Sequence, residues 1–262
     1  MLLEIEQKPK EYIAAKPVLQ QTAYCAKVKE NQRFPSLAFQ IAIHPNGDWP
    51  TQGQSAATVW DDLLMVLQYV NARQYIAYVP YGPHFDPGEE LRGNYLEELS
   101  ESLRPLMPAG CLLIRYDLRW ESPWVHDANR YSPDHTWMGP PEPHVREMRM
   151  NFTTKNWKLR KSPTDVLPAH TVFIDIAQED EKLLGRMKPK TRYNIRLSKR
   201  KGVAVKQVTP ENLDVWYGLY RETAHRNGIY LHAKTYFETV LHTQAQHTQS
   251  PAQTHLLLAE YN

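Results

Sequence analysis

Short runs rich in β-branched and aromatic residues alternate with amphipathic stretches along the whole chain of 262 residues. In the first half, this pattern predicts strands at 36–44, 74–80 and 111–118 and helices at 21–31, 63–70 and 91–103. Such alternation is typical of α/β proteins and differs from the pattern of helical bundles and β-sandwiches. The fold class predicted from the sequence is therefore α/β.

The stretch from Arg119 to Pro143 interrupts the alternation. It contains five prolines and three tryptophans but few aliphatic residues, so it predicts an ordered excursion pinned by aromatic side chains. A domain boundary is expected nearby, with a first domain at 1–165 that includes this excursion at 119–143 and a second at 166–262.

The second half resumes the α/β alternation. It predicts strands at 148–159, 171–177, 203–208 and 254–261, two helical stretches before 203, a helix opened by Thr209–Pro210 and closed by Gly228, and a helix at about 234–246. The last strand carries the apolar run LLLA, which is typical of a strand buried between neighbours. We therefore expect either an edge strand or a second domain whose remaining strands are missing.

Composition excludes several classes of protein. The 31 Lys and Arg residues against 29 Asp and Glu residues give a net charge of 31 − 29 = +2, so any basic binding site has to be local. Cys25 and Cys111 show no C-x-x-C spacing, which argues against a disulfide framework and a thiolate metal site and fits a reducing cytoplasm. The N-terminal segment lacks the pattern of a secretion signal, and no apolar run approaches the ~20 residues of a membrane span.

One segment concentrates positive charge. Between Lys182 and Pro210 the chain has ten basic residues and no acidic one. If a helix begins at Pro189 and ends near Gly202, one of its faces carries Arg192, Arg196, Lys199 and Arg200. A phosphate at the first turn would gain backbone N–H groups and charged donors. The alternative is a solvated cationic helix, although solvated faces usually mix charges of both signs.

A second candidate is the stiff turn that follows the strand at 74–80. The sequence from Tyr78 to Asp86 reads YVPYGPHFD, and open α/β sheets place their ligands at the carboxyl ends of strands. Tyr81 could stack on a ring or donate to phosphate, and Asp86 could accept from an amine. The alternative is a turn with a purely structural role.

Other motifs carry less information. The spacing of Lys27 and Lys29 favours two ordinary surface lysines over a binding site. The eleven histidines show no H-x-x-x-H or H-E-x-x-H spacing, so no metal site is expected. The chain has no G-x-G-x-x-G, Walker or G-x-S-x-G motif. Nucleotide-binding and serine-hydrolase functions therefore lack their usual signatures.

Three motifs together resemble the Fem family of peptidoglycan aminoacyltransferases: LQQTAYCAKVKE, YVPYGPHFD and LLGRMKPKTRYNIRLSKRKGVAV. The third is the most specific, and the resemblance extends over essentially the whole chain. It implies two N-acetyltransferase-like (GNAT) domains, the second incomplete, in a compact member without the long helical arm. It also implies transfer of an amino acid from aminoacyl-tRNA to the stem peptide of a cell-wall precursor, with no cofactor.

The same resemblance assigns roles to residues. Lys29 and Arg192 correspond to phosphate-contacting positions, and Tyr81 and Asp86 correspond to a substrate-contacting loop. Asp86 would position or deprotonate the attacking amine. The remaining basic residues of the helix, Arg196, Lys199 and Arg200, would bind the tRNA acceptor stem.

The partners implied are aminoacyl-tRNA and a UDP-linked or lipid-linked muropeptide precursor, the latter bringing peripheral contact with the inner membrane surface; DNA is not expected. Three alternatives remain: an acyl-CoA-dependent N-acyltransferase, a non-catalytic RNA-binding protein and an inactive truncated relative. The first would need a pyrophosphate-binding R/Q-x-x-G-x-G/A turn, which the sequence lacks.

Overall fold

The computed structural model describes residues 2–44, 57–168, 170–171 and 174–261. These residues form a mixed α/β structure, as the sequence predicts. Two compact units are present: unit 1 comprises Met1–Leu167 and Gln244–Ala252, and unit 2 comprises Pro168–Thr243 and Gln253–Asn262. That the chain divides into two GNAT-like domains, 1–165 and 166–262, stays a prediction.

Unit 1 is built on a five-stranded sheet whose strands are ordered as in the sequence. The strands are β1 (Leu2–Lys8), β2 (Ser36–His44), β3 (Val59–Tyr69), β4 (Tyr75–Pro80) and β5 (Cys111–Asp117). Neighbours from β1 to β4 are antiparallel, whereas β4 and β5 are parallel. This parallel pair is connected by a helix, because parallel neighbours need a long crossover.

Among the described residues of unit 1, three α-helices accompany the sheet: α1 (Ala23–Asn31), α2 (Arg92–Leu103) and α3 (Pro143–Asn151). Side chains of a strand alternate between the two faces of a sheet. In β3, Leu63 belongs to the core that contains Tyr95 and Leu99 of α2, whereas Leu64 belongs to the core that contains Ala26 of α1. The two helices therefore cover opposite faces of the sheet.

The helix predicted at 63–70 is wrong, because these residues belong to β3. A continuous apolar run such as LLMVL fits either a buried helix or a strand that is covered on both faces. Here both faces are covered, and every residue from Asp61 to Leu67 is buried. The sequence pattern alone did not distinguish the two cases.

The strand predicted at 148–159 is also wrong. Residues up to Asn151 belong to α3, and the following residues form turns and irregular structure. Asn151 is buried and holds this segment together, since its amide donates to the backbone oxygens of Glu147 and Leu159 at 2.8 Å each and its carbonyl accepts from Leu159 N–H at 3.1 Å. Hydrogen bonds of the Asn151 side chain thus satisfy backbone groups that, in a strand, would pair with a neighbouring strand.

The proline- and tryptophan-rich excursion is ordered but irregular, as predicted. It contains two short 3₁₀ helices, Pro123–His126 and Ala128–Arg130, and an isolated antiparallel bridge between Tyr131 and Trp137. The rings of these two residues lie 5.3 Å apart. Aromatic contacts therefore fix this segment where proline prevents a regular ladder.

Unit 2 contains four α-helices and a two-stranded antiparallel sheet among its described residues. The elements are α4 (Asp180–Arg186), α5 (Pro189–Arg200), β6 (Val203–Val208), α6 (Leu213–Asn227), α7 (Lys234–His242) and β7 (Leu256–Tyr261). Gly228 ends α6 with φ of 63°, the left-handed conformation that glycine adopts readily. Of the strand predicted at 171–177, Val172 and Phe173 lie outside the described residues, and Ile174–Ala177 are not in a strand.

The segment Gln244–Ala252 returns to unit 1 near the start of α1. The hydroxyl oxygen of Ser250 accepts from the backbone N–H of Ala23 at 2.8 Å, and Gln249 N–H donates to the carbonyl of Glu11 at 2.8 Å. Ser250 is buried. Helix α1 thus obtains one of its N-terminal hydrogen-bond partners from a residue 227 positions away.

Gly93 allows α2 and α3 to approach closely. A Cβ at this position would lie 1.8 Å from the carbonyl oxygen of Met150, so Gly93→Ala forces the helices apart. We expect a loss of about 1–3 kcal/mol in the free energy of unfolding, measured by urea denaturation. Gly218→Ala in α6, where nothing lies within 4 Å of the added carbon, is the control and should stabilise by up to about 1 kcal/mol. Unchanged stability of Gly93→Ala would contradict the close packing.

Candidate functional site

The carboxyl ends of β4 and β5 define the candidate site in unit 1. The two strands run in parallel with Pro80 opposite Asp117, so the segments that follow them, 81–88 and 118–121, begin at the same edge of the sheet. Open sheets with parallel strands bind ligands at this edge. Tyr81 begins the first segment with φ of 48°, a left-handed conformation that is unusual for a residue with a side chain.

A buried carboxylate fixes the backbone of the first segment. The Oδ2 atom of Asp61 accepts from the N–H groups of His84 and Phe85, each at 3.0 Å. The other oxygen, Oδ1, pairs with the Lys16 ammonium, and both side chains are more than nine-tenths buried. Because the charge pair is shielded from water, removing either partner would leave an uncompensated buried charge.

A buried amide ties the same segment to the sheet. Gln21 accepts from Leu64 N–H at 2.8 Å and donates to the carbonyl of Pro80 at 2.7 Å. A Cβ on Gly82 would lie 2.9 Å from the Gln21 amide nitrogen. Gln21 comes from the LQQTAY motif and Gly82 from the YVPYGPHFD motif, so two motifs that are far apart in the sequence meet here.

Asp86 is held as a carboxylate by Arg92 of α2. The guanidinium donates from Nε to Oδ1 at 3.0 Å and from Nη2 to Oδ2 at 2.6 Å, and Gly88 N–H donates to Oδ1 at 3.0 Å. Partial burial raises the pKa of the Asp86 carboxyl, but these hydrogen bonds outweigh it and hold the pKa below its ordinary value. Such a carboxylate suits binding of a cation better than acceptance of a proton.

Trp120 joins the two segments. Its indole N–H donates to the carbonyl of Phe85 at 3.2 Å, and the Arg92 guanidinium lies 5.3 Å from the centre of its ring. Phe85 packs edge-on against the buried ring of Tyr95 at 5.4 Å. These contacts leave little freedom in the part of the loop that carries Asp86.

His84 points its ring toward the second segment. The Nδ1 atom lies 2.9 Å from Nη1 of Arg119. Burial and the positive charges of Lys16 and Arg119 lower the pKa of the His84 imidazole and outweigh the opposing effect of Asp61. The ring is therefore neutral near pH 7, while the residue as a whole is exposed.

Lys29 lies in the last turn of α1, on one face of the sheet of unit 1. Its ammonium is 3.4 Å from Oε1 of Gln32, and its charge affects the buried thiol of Cys25. Burial raises the pKa of Cys25 to about 11, with a smaller opposing effect from Lys29. Cys25 is thus a protonated core residue near pH 7.

Helix α5 of unit 2 carries the predicted basic face. Arg196, Lys199 and Arg200 are exposed along it, whereas Arg192 is half-buried and its Nη1 donates to the carbonyls of Gly185 at 3.2 Å and Met187 at 2.6 Å. Arg192 thereby satisfies carbonyl groups at the end of α4. The predicted phosphate ligand thus also has a structural role.

Tyr81 and Asp86 therefore share one ordered loop, and the convergence of Lys29 and Arg192 with that loop stays a prediction. Sequence reasoning missed three residues of the site: Asp61, Arg92 and His84. Asp61 left a detectable signal, because a pair of carboxylates inside the apolar run VWDDLLMV requires buried partners. The roles of the other two depend on tertiary contacts.

Within the described residues, no group of three or more His, Cys, Asp or Glu side chains is arranged to hold a metal ion. The described part of the chain likewise has no helix that is long and apolar enough to cross a membrane.

Comparisons with known proteins agree with the third of the sequence motifs, at 183–205. Residues 148–260 match the sequence model of the FemAB family. The fold is similar to that in the crystal structure of FemX, with a TM-score of 0.55 and 16% identity, over 92% of this chain and 55% of that chain. No curated protein matches the chain in sequence. These findings confirm the resemblance to the Fem family, and the chain spans about half the length of the FemX chain.

Removing Arg92 from the Asp86–Arg92 ion pair should change the pKa of Asp86. In Arg92→Met the cation that favours the carboxylate is removed, so the pKa of Asp86 should rise, as measured by carboxyl ¹³C NMR. Arg104→Met is the matched control, because Arg104 pairs with Glu101 on the same helix segment and should shift only the pKa of Glu101. An Asp86 pKa that does not change in Arg92→Met would show that the hydrogen bonds do not control this carboxyl.

Proposed function

We propose that this protein transfers an amino acid from aminoacyl-tRNA to the stem peptide of a peptidoglycan precursor. The observation that carries the proposal is the FemAB family match over 148–260, which includes the whole of α5. The likeness to FemX supports the fold on which the proposal depends. Two GNAT-like domains and a cytoplasmic location are parts of the same proposal.

The acceptor in this proposal is a primary amine of the stem peptide, and Asp86 binds it. A protonated amine carries a positive charge, so a carboxylate held ionised by Arg92 can attract and orient it. The lowered pKa of Asp86 favours a positioning role over that of a general base. Tyr81, at the start of the same loop, contacts the precursor beside it.

The phosphates of the precursor are assigned to Lys29 and Arg192. Both are cations with only part of their surface exposed, and a UDP-linked or lipid-linked precursor carries a pyrophosphate. Because Arg192 also satisfies backbone carbonyls through Nη1, the phosphate would be bound by its remaining donors, Nε and Nη2. A lipid-linked acceptor would place the protein in peripheral contact with the membrane surface.

The exposed face of α5 is assigned to the tRNA acceptor stem. Arg196, Lys199 and Arg200 lie on one side of the helix without an acidic residue among them. The phosphate backbone of an RNA helix binds such a face through charge, with little dependence on sequence. A non-catalytic RNA-binding protein would use the same face, but the ordered loop around Asp86 would then have no role.

Transfer itself tests the proposal. The full chain is incubated with a total tRNA pool charged with radiolabelled amino acids and with a UDP-linked or a lipid-linked muropeptide, and labelled precursor is measured. Label is expected in one of the two precursors. Binding of tRNA without any labelled precursor would instead favour the RNA-binding alternative.

The basic face predicts a specific salt dependence. Lys199→Ala should weaken tRNA binding and reduce the slope of log K against log salt by about 1, because one phosphate contact is lost. The matched control is Lys206→Ala, since Lys206 lies in β6 and pairs with Glu260 at 2.5 Å. Equal slopes for the wild type and Lys199→Ala would exclude Lys199 from the interface.

Arg192→Ala should weaken binding of the UDP-linked muropeptide by roughly 10- to 150-fold, as expected for loss of a charged contact of about 1.5–3 kcal/mol. The precursor is titrated by calorimetry, and circular dichroism checks that the helices remain formed. Lys199→Ala provides the comparison and should bind the precursor as the wild type does. Equal losses in both variants would contradict the assignment of Arg192 to the phosphates.

A further inference from the structure

His84 and Arg119 form a polar pair to which the sequence motifs and the family match assign no role. Both follow carboxyl ends of the parallel strands β4 and β5, where His84 is exposed and Arg119 is half-buried. The His84 backbone is fixed by Asp61, and the ring is fixed by Arg119. A side chain whose backbone and one ring nitrogen are both fixed, and whose ring is still exposed, is suited to contact a bound substrate.

The pair determines which nitrogen of His84 carries the proton. A guanidinium only donates hydrogen bonds, so Nδ1, at 2.9 Å from Arg119 Nη1, has to accept. The neutral ring then carries its proton on Nε2. His84 is therefore a neutral donor, and it is not free to accept a proton at Nδ1.

The surrounding charges keep the ring in this form. Lys16 and Arg119 disfavour the imidazolium, whereas the carboxylate of Asp61 is the one opposing charge among the groups that act on the ring. Asp61 is itself paired with Lys16. A neutral imidazole donor beside a fixed cation is suited to stabilise an oxygen that becomes negative during a reaction.

We infer that Nε2–H of His84 donates to the carbonyl oxygen of the aminoacyl ester during transfer and that Arg119 positions it. This inference rests on the proposed function. After the bound ammonium group has lost one proton to solvent, the neutral amine nitrogen attacks the ester carbon, a C–N bond forms, and the carbonyl π electrons move to the oxygen that His84 contacts. When the oxyanion collapses, the C–O bond to the tRNA ribose breaks, the nitrogen loses a proton and the ribose oxygen gains one.

Kinetics of His84 variants test the donor role. His84→Ala should reduce kcat by about 10²–10³-fold, as is typical when one oxyanion donor is removed, with unchanged binding of the UDP-linked muropeptide. His84→Gln should stay within about tenfold of the wild type, because its amide can donate from a similar position but cannot act as a base. A kcat of His84→Ala equal to that of the wild type would overturn the inference. So would a His84→Gln variant as slow as His84→Ala, because that result identifies a base.

A second measurement does not depend on transfer. Two-bond ¹H–¹⁵N spectra of the ¹⁵N-labelled full chain should show His84 with the proton on Nε2 and a pKa below the ordinary value of about 6.5. In Arg119→Met the pKa should rise and the Nε2–H form should lose its preference. A proton on Nδ1 in the wild type would overturn the inference.

The transfer kinetics and the NMR spectra together distinguish failure of the proposed function from failure of the role assigned to His84. If the wild type transfers label but His84→Ala does so equally well, the proposed function stands and the role of His84 is wrong. If the wild type transfers no label to either precursor while the spectra show the expected ring, the proposed function fails and the assignment of an ester carbonyl to His84 is overturned with it.

Discussion

The buried carboxylate of Asp61 is the interaction on which the candidate site depends. It lies near the start of β3, pairs with Lys16 and accepts hydrogen bonds from two N–H groups of the loop after β4. A loop normally satisfies its backbone groups with water, but these two amides are satisfied by a charge inside the sheet. Strand β3 therefore positions the loop, and the fixed loop backbone in turn positions the side chains of Tyr81, His84 and Asp86.

Much of unit 1 could be predicted from sequence because its elements are locally distinct. The strands β2 and β5 and the helices α1 and α2 lie within one or two residues of their predicted bounds, since each has a clear period or capping signal. The failure at β3 has a different origin. A strand covered by α1 on one face and α2 on the other loses the alternation that identifies strands, so only knowledge of both neighbours would have resolved it.

The candidate site shows the same division between local and tertiary information. Tyr81 and Asp86 were found because proline and glycine mark their loop in the sequence. Arg92 and His84 were not found, because their roles arise from contacts with Asp86 and Arg119 that no spacing rule describes. For the basic helix, composition predicted an exposed cationic face, but it did not predict that Arg192 would also complete the end of α4.

The contact between Ser250 and Ala23 limits when unit 1 can finish folding during synthesis. A ribosome releases the N-terminal residues first, and domains generally begin to fold as units during synthesis. In unit 1, however, the hydroxyl that satisfies the start of α1 is encoded 227 positions later, after nearly all of unit 2. The amide of Ala23 therefore stays exposed to water in the nascent chain, and unit 1 completes its packing only after residues 244–252 have been translated.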